Sequence, residues 1–131
     1  VTSIQKAWQG TATTTGVVPL TQLGQPAHLR PSATPGGSPA TEDQRLDDVN
    51  HAFVADTPAK TLHVKFLGTN GSVTFQGCDG DPSVAADWYA IGSAITASGA
   101  ATDSNSRRFV RANLTDAGSA GATVYLSASS L

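Results

Sequence analysis

From His51 onward the apolar residues of this chain recur at every second position. In "TLHVKFLG" Leu62, Val64 and Phe66 share one face while His63, Lys65 and Leu67 share the other, and in "SVTFQG" Val73 and Phe75 oppose Thr74 and Gln76. Successive side chains of a strand point to opposite faces, so this alternation predicts half-buried strands. Between the two runs, Asn70-Gly71 supplies the positive-φ residues of a tight turn, which predicts a hairpin. "DWYAIGSAITASG" predicts one or two strands around Trp88, Ile91 and Ile95, with a bulge or bend at Gly92. "RRFVRANLT" sets Arg108, Val110, Ala112 and Leu114 against Arg107, Phe109, Arg111 and Asn113, and "ATVYLSA" sets Val124, Leu126 and Ala128 against Thr123, Tyr125 and Ser127. With "HAFVA" this makes about six or seven strands joined by Gly, Asn, Asp and Ser turns, the pattern of an all-β fold, a small antiparallel β-sandwich or jelly-roll.

The first 50 residues read differently. Seven of the eight aromatics follow residue 50, whereas five of the seven prolines (Pro19, Pro26, Pro31, Pro35, Pro39) precede it. Proline lacks an amide donor and biases its predecessor toward extended backbone, so residues 1–50 are expected to form an extended Pro/Gly-rich arm leading into a domain over 51–131. At about 3.3 Å per residue such an arm reaches well over 100 Å. Its apolar residues Val17, Val18, Leu20, Leu23 and Leu29, with Trp8 as the one aromatic, are more than a solvated tail needs and are expected to lie on a neighbouring molecule, simple disorder of the isolated arm being the plain alternative. Within "TEDQRLDDV", Thr41 as N-cap and Gln44 three residues later allow a short helix over 41–49, with a solvated acidic loop as the alternative.

Charge and cysteine usage narrow the function classes. Only 14% of residues are charged and the net charge is -2, so no basic face for direct nucleic-acid binding is expected. With Cys78 as the single cysteine, no intrachain disulfide and no multi-cysteine zinc site can form. No apolar run approaches the roughly 20 residues of a membrane helix, and "VTSIQKAW" lacks the regions of a signal peptide, so the expectation is a soluble, cytosolically made chain with no membrane contact.

Chemistry-bearing motifs are sparse. Asp79 and Asp81 in "CDGDPS" can open a calcium loop, but the further oxygen ligands and the distal Glu are missing, and a turn is the favoured reading because Asp satisfies turn amides by itself. Cys78 makes no recognisable pattern with His28, His51 or His63, and G-x-S-x-G and phosphate-binding glycine loops are absent. No catalytic residue, cofactor or metal is therefore assigned, and an enzyme is the least favoured class. "RRFVR" is the single basic concentration: Arg107 and Arg111 share a strand face and are candidate partner-binding residues, edge-strand charges being the plain alternative.

The order "VTFQGCDG…ADWYAIGSAITASGA…RRFVRANLTDAGSAGATVYLSA", approximately residues 73 to 128, resembles the small β-sandwich structural proteins of tailed bacteriophages, above all head decoration (cement) proteins. Cys78 departs from that pattern, where a small polar residue is commoner, and "DPSVAA" lengthens the loop before Trp88. The resemblance implies a non-enzymatic virion protein, made in the host bacterial cytoplasm. It would be a homotrimer fixed to the outer surface of the major capsid protein, stabilising the head. The arm is expected to reach neighbouring decoration subunits. Two other readings stand beside this one: an adhesin-like module holding a glycan around Trp88, Tyr89 and Tyr125, and a tail or neck structural protein.

Overall fold

The computed structural model of the chain describes residues 4–23 and 50–130. Ten strands occur among them: β1 (Gln5–Ala12), β2 (Gly16–Val17), β3 (Thr21–Gln22), β4 (Ala52–Phe53), β5 (Ala59–Phe66), β6 (Ser72–Cys78), β7 (Trp88–Ala90), β8 (Gly99–Asp103), β9 (Phe109–Asp116) and β10 (Ala122–Ser129). They form two antiparallel five-stranded sheets. The first has the order β3-β1-β10-β5-β8; the second runs β2-β9-β6-β7, with β4 continuing the β2 edge on β9.

Setting aside the two-residue strands β3 and β4, the pairs β1/β10, β2/β9, β5/β8 and β6/β7 are nested one inside the next. That is one long antiparallel hairpin rolled into two facing sheets, the jelly-roll form of the sandwich.

The alternation read from the sequence positions the core. Leu62 and Val64 from β5, Val73 and Phe75 from β6, Val110, Ala112 and Leu114 from β9, and Val124 and Leu126 from β10 are all buried between the sheets. A smaller cluster of Cys78, Trp88 and Phe109 closes one end, with Phe53 and His51 packed against Phe109.

Two expectations need correction. Residues 5–22 are not an extended arm. β1 pairs with β10 over its whole length, from Gln5↔Ser129 to Ala12↔Ala122, and Trp8, Val18 and Leu20 sit in the main core at 1%, 0% and 4% exposure. Lys6 also pairs with Asp56 at 2.8 Å. The sandwich thus begins at β1, because this core is completed by side chains the proline-rich reading assigned to a partner. Pro19 is compatible with this: it lies in the link between β2 and β3, where no ladder amide is required. Leu29, the proposed helix over 41–49 and the four remaining N-terminal prolines lie outside the described residues.

The second correction concerns Asn70-Gly71. Both residues have positive φ, 62° and 133°, as the turn requires. The strands it joins do not form a hairpin, however: β5 belongs to the first sheet and β6 to the second. The turn carries the chain across the sandwich, and Leu67 donates its N–H to Gly121 instead of to β6.

Candidate functional site

Of the residues expected to meet a partner, few are free to do so. Trp8, Val18 and Leu20 are core, and Val17 is half-buried in β2. Leu23 is the exception, being exposed at the end of the edge strand β3.

The two arginines are held by internal partners. Arg107 makes a forked pair with Asp103, Nε to Oδ2 at 2.6 Å and Nη2 to Oδ1 at 3.0 Å. Its Nη1 donates to the Tyr89 hydroxyl, which donates in turn to Asp79 at 2.8 Å. Arg111 donates to Gln76 at 2.8 Å and lies over the Trp88 ring at 4.1 Å. Hydrogen-bonded guanidinium on an aromatic face is an internal packing device here.

Asp103 is also reached by Lys60, whose Nζ stands 3.3 Å away with no exposed side-chain surface and donates to the carbonyls of Pro58 and Asn105. Burial opposes the charge of Asp103, yet the Arg107 hydrogen bonds and the Lys60 charge outweigh it and hold the carboxyl below its usual range. Burial pulls the Lys60 ammonium down, with Asp103 partly offsetting the shift. The hydrogen bond to Asp103 lifts Arg107 above its ordinary value. Buried charges persist where they are paired and hydrogen-bonded, so this cluster is a fastening between the end of β8 and the turn beside β7.

The acidic turn is similarly self-satisfied. Asp81 accepts from the amide and hydroxyl of Ser83 at 2.9 and 2.7 Å, Asp87 accepts from the Asp81 amide, and Asp79 accepts from the Arg108 amide. Trp88 Nε1 donates to the Pro82 carbonyl. Among the described residues no group of three His, Cys, Asp or Glu side chains is placed to hold a metal ion. Cys78 is buried at 0% exposure, and desolvation pushes its thiol upward, away from nucleophilic character.

The three aromatics grouped for a glycan do not come together. Trp88 and Tyr89 lie on β7 of the second sheet, the first beneath Arg111 and the second tied to Asp79 and Arg107. Tyr125 is on β10 of the first sheet, stacked on His63 at 5.3 Å.

What the register does assemble is a surface on the outside of the first sheet. Ala7, Ser127, Thr61 and Thr102 stand side by side across β1, β10, β5 and β8. The row on one side holds Gln9, Tyr125, His63 and Ala100, with the large Tyr125 and His63 at its centre. The short side chains of the first row, together with Gln5, Ser129 and Ala59 on its other side, line an open trough of about 570 Å³. Leu23 walls it on one side and Thr102 and Ser104 on the other. Hydroxyl, amide and methyl groups make up most of its lining, suited to broad contact, and the charged groups that border it are Lys6, Lys60 and Asp103, the last two already paired with each other.

The sequence marked Leu23 but none of the trough's other members, because small polar residues carry no signal until register places them together. Among the described residues, no helix is long and apolar enough to cross a membrane. In comparisons with known proteins, no family model, no curated protein and no solved structure matches the chain.

Proposed function

We propose that this chain is a non-enzymatic structural module of the virion-decoration type, which docks on the outer surface of a major capsid protein through the outer face of its first sheet. The observation that carries the reading is the transverse row Ala7-Ser127-Thr61-Thr102 and the trough it lines. Such a face offers shape and hydroxyls over several strands, as a protein surface requires. Support also comes from the resemblance over residues 73–128, which span β6 to β10 and so contribute to both sheets. A jelly-roll by itself does not select a function, and the reading does not rest on it. Nor does it rest on a self-insufficient arm, since residues 5–22 belong to the fold. Many identical copies on a capsid lattice turn modest single contacts into durable attachment.

The experiment is co-sedimentation with heads built from the capsid protein of the same virus. Saturable binding and greater resistance of decorated heads to heat and low salt are expected. Ser127→Trp, which fills the trough from an exposed position, should abolish binding with the circular dichroism spectrum unchanged. Absence of binding by the unaltered chain, or full binding by Ser127→Trp, overturns the reading.

A further inference from the structure

We infer that the outer edge of β8, uncovered among the described residues, pairs with the β8 edge of a second copy of this chain, antiparallel about a two-fold axis through Ala101. This inference is independent of the capsid reading.

The geometry follows from the way β5 distributes its amides. Phe66 donates its N–H to Ser98 on the β8 side, and Leu67 donates to Gly121 on the β10 side. Because bonding direction alternates along a strand, Lys60, Leu62 and Val64 face β8 and bond their partners Asp103, Ala101 and Gly99. The intervening residues, Ala100 and Thr102, therefore turn their N–H and C=O groups outward. No described residue meets those groups.

An edge of this kind is usually blunted. Charges, proline, a bulge or mere shortness keep other chains from adding to it. The remaining edges of the two sheets are short: β3, β2 and β4 have two residues each, and β7 has three before the bend at Gly92, φ 70°. β8 has five residues, and Gly99 through Thr102 are all exposed, without charge or proline. Its one acid, Asp103, is turned inward onto Lys60 and Arg107.

The edge is also complementary to itself. With Ala101 opposite its own copy, Ala100 faces Thr102 of the second chain and Thr102 faces Ala100. Both members of each pair present outward amides and carbonyls, so four hydrogen bonds form in the register that the alternation demands. Ala101 on the axis and Gly99 beside it place no bulk in the way. The two first sheets would then run on as one. The contact is small beside the roughly 1,200 Å² of a stable interface, so the pair forms reversibly.

The test uses the full chain. Sedimentation velocity across a concentration series should show a monomer–dimer equilibrium. Ala100→Pro, which removes only an outward donor, and Ala100→Lys should each weaken it at least tenfold with unchanged circular dichroism. Under oxidation, Ala101→Cys should yield a disulfide-linked dimer, since facing residues in a non-bonded antiparallel pair lie about 4.5 Å apart between Cα atoms. Ala100→Cys, displaced from the axis, should not. A chain that stays monomeric at millimolar concentration, association unaffected by both Ala100 variants, or equal cross-linking from positions 100 and 101 overturns the inference.

Discussion

The carbonyl of Pro19 occupies the space in which a β-carbon on Gly10 would stand, with Val18 alongside. Gly10 thus lets the segment after β2 cross β1 in backbone-to-backbone contact, which in turn delivers Val18 and Leu20 to the core. Gly10→Ala should destabilise the fold by about 1–3 kcal/mol, the usual effect of inserting a methyl where there is no room. The shift of the urea midpoint at constant slope measures it.

Trp8 tests whether the N-terminal residues belong to the fold. As a residue 1% exposed and paired across the sheet with Leu126, it should cost about 3–5 kcal/mol when replaced by Ala. Leu23→Ala, at an exposed site, should stay within about 0.5 kcal/mol. Equal, negligible effects from both substitutions in thermal or urea unfolding would return residues 5–22 to the status of an arm.

The cluster at Asp103 predicts a dependence on acid. Its folded-state carboxyl is held below the ordinary value of 3.8, so the folded chain releases that proton more readily than the unfolded one. The stabilisation is present above pH 3.8 and is lost as pH falls through the lower, folded value. Asp103→Asn should flatten this part of the stability–pH curve. It should also cost about 3–5 kcal/mol at neutral pH, because Lys60 is left buried without a counter-charge.

Cys78 provides a probe of opening. Buried at 0% exposure and with its thiol pushed upward by desolvation, it should react with an aromatic disulfide reagent only as fast as the sandwich opens. One thiol per chain should appear at once in denaturant. Rapid labelling under native conditions would show that the end cluster with Trp88 and Phe109 is not closed.

Strands with bulky inward residues were legible in the sequence. Leu62 and Val64, Val73 and Phe75, Val110 to Leu114, and Val124 and Leu126 announce β5, β6, β9 and β10 by alternation alone. β1 gives no alternation signal, because its inward residues are Lys6, Trp8, Gly10 and Ala12, a single large side chain among small or polar ones. β8, "GAATD", has no bulky residue at all and is held by backbone pairing to β5. Asn70-Gly71 fixed the local turn but not which sheet the chain would enter, since that depends on the partners β9 and β10 offer elsewhere. The trough has no sequence signature for the same reason: neighbours across four strands are set by register, and register is a property of the assembled sheets.

The seam between β1 and β10 joins residues more than a hundred positions apart, and beyond it the Ser130 amide donates to the Ile4 carbonyl at 3.0 Å. Near β1 in sequence only the two residues of β3 pair with it, so its full-length pairing waits for β10, and folding should be slow for so small a sandwich. Ile4 and Ser130 thus stand at one corner. A short splice between them, with a fresh break in a surface loop, should give a circular permutant in which β10 and β1 follow one another in sequence and pair early.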